Sequence, residues 1–597
     1  MTGQKKGKRI IACCDGTWMS SIGDNSGPQS NVTRLSRAFK RSCDDGSTQV
    51  ILYDSGVGSS ASIIDQVMGG AFGMGLEQNI REVYNFICNN FVPESNKPGE
   101  EYPGDDIILI GFSRGAFTAR SVADLIGTFG LLTNDGLDHF SAIFNDYENI
   151  SDHKRTNYLV ELPAYDRTKH GDNRADWVKL RKTTYLNFLI EKGYTSSKQP
   201  PIKALAVFDT VGTLGIPPAP LLGIHGSAKQ YKFSDTILSP RVQHAFQALA
   251  LDEPRFAFRP ALWEKPSPDS PTILKQVWFP GSHANIGGGW YDQQMADITL
   301  AWMVDQLAGV GVKFRSEVLV GIFQKEGEFA VAHPFPHVPA SLWGHGWGLL
   351  WYVKQRWPVP GLLGGLFRKT PEKWAVDAVY AGPEKPVRDK KDCADAVHDL
   401  SKADAAAGRS WGLGQIRFPD SVMQCMSGSW VRTPGETVRV NPETNKDIPK
   451  KWLLNTSERI HSCVRVRLAC GGLGVDDHEV WRCDALTGNP TNGVRWKLRQ
   501  VEAMELPGHE CLESQESVSG DLSVYNVKSE DWQWSWWLDE DCKGAKKEDG
   551  TWVSGVRVLP EEPLSGYWER YLLGLHSGKG EKDVWKYARD HAIEVLG

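Results

Sequence analysis

The chain has 597 residues, 41% of them hydrophobic and 23% charged, and a formal net charge of −6. That length exceeds what one hydrophobic core usually fills, so at least two domains are expected. The mildly acidic balance gives no reason to expect nucleic-acid binding, and no stretch reaches the 18 or so uncharged apolar residues of a membrane span.

The basic start, MTGQKKGKR, runs into the short apolar segment RIIACC and then Asp15-Gly16. That segment lacks a signal-peptide cleavage pattern. The 11 cysteines show no CxxC spacing, so reduced thiols and a cytoplasmic location are expected. Downstream, RIIACC, QVILY, DIILIGF, ALAVF and LKQVWF are short, apolar and rich in β-branched or aromatic residues, the signature of buried parallel strands. Between them NVTRLSRAFKRS, GMGLEQNIREVYNFICNNF and RGAFTARSVADLIGTFG carry helical spacing, the last closing on a glycine C-cap. The alternation predicts an α/β fold, a doubly wound and mostly parallel sheet over residues 1–320. The charged, aromatic stretch 131–200 interrupts it and is expected to be a cap insertion.

After residue 320 the alternation fails. SLWGHGWGLLWYVKQRWPVPGLLGGLFRK packs Trp343, Trp347, Trp351 and Trp357 into a glycine-rich apolar stretch, read either as a membrane-surface or acyl-chain element or as interdomain packing. The stretch 371–412 reads as a linker. Beyond it HSCVRVRLAC, EVWRC and WQWSWW read as strands, and KDVWKYARDHAIEVL as a closing amphipathic helix. Residues 321–597 are therefore expected to form a tryptophan-rich C-terminal extension of mixed structure.

One pentapeptide carries chemistry. Gly111-Phe112-Ser113-Arg114-Gly115 fits G-x-S-x-G, in which a serine nucleophile sits on a turn from strand to helix too sharp for side chains at the flanking glycines. A serine nucleophile needs a base, an acid that orients the base, and N–H donors for the oxyanion. In α/β-hydrolases these follow in the order Ser, acid, His, at strand ends. Ser113 ends DIILIGF, Asp209 ends ALAVF, and His283 follows LKQVWF in PGSHANIGGGW. Ser113 and His283 are the candidate nucleophile and base. Asp209 is the first choice of acid, with Asp252, Asp292 and Asp297 as alternatives. Asp15, Gly16 and Thr17, at the end of the first strand, are candidates for the oxyanion hole or substrate contacts, together with the N–H of Arg114. No carboxylate or His/Cys set has metal-ligand spacing, so neither metal nor cofactor is expected.

The blocks RIIACCDGTW, YDSGVG, GFSRGAFTAR, VFDTVGTLG, ALDEPRFAFRP and WFPGSHANIGGGW, in this order over roughly residues 8 to 310, resemble the DUF2235 family of α/β-hydrolases. That family includes the Tle1-type phospholipase effectors of bacterial type VI secretion. The C-terminal half resembles the extension of fungal members. The resemblance implies a Ser-His-acid triad and an ester or lipid substrate, met at a membrane surface if the tryptophan-rich stretch is exposed; thioesters and carbohydrate esters fit the same residues. Many relatives have aspartate where Asn285 stands, so a charge beside His283 is absent here. A catalytically silent binding or scaffold protein on the same fold is the competing reading. Nothing in the sequence fixes the oligomeric state.

Overall fold

The computed structural model describes residues 6–16, 28–56, 71–97, 101–152, 159, 174–211, 236–255, 258–290, 292–332, 409–417, 430–440, 447–475, 480–490, 492–502, 532–542, 556–564, 566–577 and 583–596. The tryptophan-rich stretch 342–367, most of the expected linker 371–412, and Thr17 lie outside them.

Apolar side chains on both faces of a strand can be buried only if helices cover both faces of the sheet. That is the arrangement observed. In chain order the elements are β1 (Arg9–Cys14), α1 (Asn31–Ala38), β2 (Gln49–Asp54), α2 (Ala71–Asn90), β3 (Asp106–Phe112), α3 (Ser113–Phe129), α4 (Asn134–Asp138), α5 (Phe140–Glu148), α6 (Arg174–Glu191), β4 (Ile202–Phe208), β5 (Val242–Ala250), β6 (Ile273–Phe279), α7 (His283–Gly287), α8 (Gln294–Gly309) and α9 (Ser316–Ala332). They continue with β7 (Val438–Val440), β8 (Asp447–Trp452), β9 (Glu458–His461), α10 (Ser462–Ala469), α11 (Asp484–Thr487), β10 (Trp496–Glu502), β11 (Trp532–Leu538), β12 (Val558–Glu562), α12 (Tyr567–His576) and α13 (Val584–Leu596).

Ten strands form one sheet in the order β10-β11-β12-β9-β6-β5-β4-β3-β1-β2. The run from β2 to β12 is parallel, and β11 and β10 close the far edge antiparallel. The expected α/β fold is present. Alternate residues of β1 divide between the two cores: Ile11 and Cys13 join one with α1 and α8, while Ile10, Ala12 and Cys14 join the other with α2 and α3. The chain leaves β1 for β2 on one side and returns to β3 on the other. This reversal opens a crevice at the carboxyl ends of β1 and β3, where ligands bind in open α/β sheets.

Three expectations need correction. β5 was not foreseen as a strand, and it separates β4 from β6. HSCVRVRLAC is mostly the helix α10 rather than a strand, and EVWRC contributes a single bridge, Leu473 to Val480. The division at residue 320 does not divide the sheet, because β9 pairs directly with β6 and Lys275 of β6 meets Glu562 of β12 at 2.8 Å. Within the expected cap insertion, Tyr147 and Tyr185 pack on Phe129 at the C-terminal end of α3. At about 1.5 Å per residue that end is roughly 24 Å from Ser113, so these residues brace the helix from its far side.

Candidate active site

The chain enters Ser113 from the extended Phe112 (φ −130°, ψ 138°) and holds Ser113 itself at φ 57°. That left-handed conformation is strained for a residue with a Cβ and aims the side chain off the end of the sheet. The flanking glycines are sterically required. A Cβ on Gly111 would stand 2.6 Å from the Ala116 Cα, and one on Gly115 would stand 2.1 Å from the Cys14 carbonyl oxygen. Gly287 of HANIGGGW serves the same close approach, since a Cβ there would enter the Phe112 ring at 2.0 Å.

Asp209 and His283 are brought together. His283 Nδ1 lies 2.7 Å from Asp209 Oδ2, both groups being buried. The imidazole packs on Phe112, the residue before Ser113, with ring centroids 4.7 Å apart, and takes the edge of Phe258 at 4.9 Å. Among the described residues Nε2 is buried without a hydrogen-bond partner and makes no bond to Ser113. Hydrogen bonds of this kind are often formed only when substrate is bound. Asp209 also sits at positive φ, 37°. The other candidate acids are engaged elsewhere: Asp252 accepts from Trp481 Nε1 and the Gly281 N–H, Asp297 pairs with Arg34 at 2.6 Å, and Asp292 accepts from the Gln294 N–H.

Two further charged groups complete the surroundings, and sequence reasoning found neither. Arg432 is 1% exposed and donates to both Asp209 oxygens, at 2.8 and 3.1 Å, and to the Phe258 carbonyl at 2.8 Å. Glu253 accepts the backbone N–H of His283 at 3.1 Å and is paired with Arg255 at 2.5 Å. Burial pushes the Asp209 carboxyl upward, but the Arg432 charge and the His283 bond outweigh it and hold the carboxyl well below the usual range. Glu253 is likewise held below its ordinary value, burial being outweighed chiefly by Arg255. A buried carboxylate requires a counter-charge, but the sequence offers no signal that the counter-charge is Arg432.

Asn285 is held at both ends of its amide. Its Oδ1 accepts from the Ser282 and Arg417 N–H groups, and its Nδ2 donates to the Gln415 carbonyl at 2.9 Å. An ionised aspartate could not make the last bond.

The oxyanion-hole expectation fails at two of its positions. The Gly16 N–H is taken by the Asp15 carboxylate at 2.6 Å, and the Asp15 N–H by the Asp54 carbonyl at 2.9 Å. Asp15 is instead a buried hub whose Oδ2 accepts from Ser30, Thr33 and Tyr53 at 2.6, 2.6 and 2.7 Å. Gly16 still borders Ser113, because a Cβ there would lie 3.5 Å from that of the serine. Arg114 stands in the first turn of α3, at the positive end of the helix dipole, with burial lowering its guanidinium to about 10. Among the described residues no group of three or more His, Cys, Asp or Glu is placed to hold a metal, and no helix is long and apolar enough to cross a membrane.

Residues 8–306 match the family model described as T6SS, phospholipase effector Tle1-like, catalytic domain. An uncharacterised protein of Saccharomyces cerevisiae, YEL023C, is 27% identical over 268 residues, which is 42% of this chain and 32% of that protein. The chain thus spans about a third of this curated relative. Two solved structures are also similar. One is the Tle1 effector bound to the VgrG spike of the type 6 secretion system, at 17% identity, TM-score 0.24, and coverage of 48% of this chain and 52% of that one. The other is an uncharacterised protein from Pseudomonas aeruginosa, at 16% identity, TM-score 0.31, and coverage of 53% and 47%.

Proposed function

The chain belongs to the Tle1-like phospholipase effector catalytic-domain family, and from that premise we infer that it is a serine hydrolase of lipid or phospholipid esters. The observation that carries this reading is the buried Asp209–His283 pair packed on Phe112, next to a serine held at φ 57° in the crevice of the sheet. Ser113 Oγ attacks the acyl carbonyl while His283 Nε2 takes its proton. Asp209 fixes the imidazole with Nδ1 protonated and stabilises the imidazolium that forms. The oxyanion is met by N–H groups of the first turn of α3, Arg114 among them. His283 returns the proton to the departing alcohol; water, deprotonated by the same nitrogen, then releases the acyl group.

The missing Ser113–His283 hydrogen bond is what a silent scaffold would show, so labelling by a fluorophosphonate discriminates the two readings. Wild-type protein is expected to be labelled at Ser113 and to hydrolyse short esters and phospholipid vesicles. Ser113→Ala should lose both, with turnover down on the order of 10³ to 10⁶. A folded Ser113→Ala protein with unchanged activity would remove Ser113 from the role.

A further inference from the structure

Arg432 is 223 residues from Asp209 in the chain and lies outside the family-matched segment. We propose that Arg432 is a positioning residue for the catalytic acid, so that the C-terminal part of the chain completes the active site. This rests on the hydrolase reading above. A carboxylate orients an imidazole only if its own rotation is blocked, and a planar guanidinium holding both oxygens blocks it in the way a single hydrogen bond cannot. The guanidinium is anchored in turn, because Nη2 also reaches the Phe258 carbonyl and the Arg432 carbonyl accepts from Asn489 at 2.9 Å. Two residues earlier the Trp430 N–H donates to the Pro254 carbonyl, with Arg259 over the Trp430 ring at 4.9 Å. The segment around Arg432 is thereby tied to the loop that carries Glu253, Arg255 and Phe258, each of which touches His283 or its partners.

Arg432 also sets the charge of the site. Among the described residues the charged groups facing the Asp209–His283 pair are Arg432, Glu253 and Arg255, and Glu253 is already neutralised by Arg255. Arg432 is therefore the cation whose removal leaves the pair more negative. A pair without it takes up its proton at higher pH, and the acid limb of the kcat/KM profile moves upward.

The test compares full-length wild type, Arg432→Lys, Arg432→Met, Asp209→Asn and the Asp209→Asn/Arg432→Met double variant. Hydrolysis of a short nitrophenyl ester is followed across pH 5 to 9, with fluorophosphonate labelling of Ser113 alongside. Arg432→Met is expected to lose about 10²-fold in kcat, the scale of a small misplacement of a catalytic group, with KM changed less than twofold and the acid limb displaced upward. Arg432→Lys keeps the charge without the two-point grip, so it should lose about tenfold with the limb in place. In the Asp209→Asn background the Arg432→Met change should cost less than twofold, because its only route to the chemistry is already cut. Wild-type kcat and pH profile in Arg432→Met would overturn the proposal, as would a full additional loss in the double variant. Should Arg432→Met not fold, unchanged kcat in Arg432→Lys overturns it equally. A wild type that neither labels nor hydrolyses instead overturns the hydrolase reading and takes this proposal with it, whereas a labelled wild type insensitive to Arg432 overturns the proposal alone.

Discussion

Ser113 and Asp209 both stand at positive φ, 57° and 37°, a conformation that costs a residue with a side chain on the order of 1–3 kcal/mol. Glycine carries little of that cost. Ser113→Gly is therefore expected to melt a few degrees above wild type while losing all labelling, measured by thermal unfolding and fluorophosphonate gels; a melting point at or below wild type would deny the strain. Asp209→Asn is a different case. Asparagine tolerates positive φ, but the exchange strands a buried Arg432, and breaking such a pair from one side costs roughly 3–5 kcal/mol. Asp209→Asn should both slow turnover and lower the melting point, and adding Arg432→Met should recover part of the stability. The candidates Ser113, Asp209 and His283 could be picked out in the sequence because each stands at or shortly after the end of a hydrophobic run. Arg432 could not, since its role comes from a contact made across the fold. Gly16 misled for a related reason: an Asp-Gly turn at a strand end reads as a free N–H, and only the structure gives that N–H to the Asp15 side chain.

Among the elements, legibility followed burial pattern. β1 and β3 are apolar runs and read as strands at once. β5, VQHAFQALA, carries Gln247 fully buried, with its side chain donating to the Ala261 carbonyl, so its polar letters hid it. α10 misled in the opposite sense. Its alternation of valine and arginine reads as a strand with one wet face, yet Arg465 and Arg467 are buried. Arg465 pairs with Glu561, and Arg467 binds the Gly412 and Gly414 carbonyls. A helix buried all round presents no polar stripe to recognise.

The turn between Arg432 and β7 carries Glu436, whose carboxyl is raised to about 7, first by burial and then by the neighbouring Glu458. Its folded value lies above the unfolded one, near 4.3. The associated stability is fully present below the unfolded value and is lost as pH rises through about 7. Glu436→Gln removes that loss, so it should stabilise the protein on the order of 2 kcal/mol at pH 8 and progressively less toward pH 5. Parallel melting curves across this range check it, and a gain that does not grow with pH would reject it.

Across the whole molecule, one sheet joins the family-matched segment to the rest. β6 lies between β5 and β9, and its Trp278 Nε1 donates to Glu458 at 3.0 Å. A fragment ending at residue 320 would leave β6 as an open, apolar edge with Trp278, Phe279 and Trp302 uncovered, the condition under which sheets pair with one another. Such a fragment is expected to aggregate and to show no esterase activity, as read by size-exclusion chromatography and nitrophenyl-ester hydrolysis. A soluble, active fragment would count against the proposed requirement for Arg432.

The position of β9 also has a consequence in time. Trp278 and Glu458 are 180 residues apart, and a ribosome adding about 5–20 residues per second needs roughly 9–36 s to cover that distance. For that interval the nascent chain carries a completed run of strands from β1 to β6 with one hydrophobic flank waiting for its neighbour. Local helices form in microseconds, so the slow step in maturation is the arrival of the last strands. The yield of the protein in a cell, measured as soluble product at varied chaperone levels, should therefore track chaperone supply more closely than the stability of the finished fold.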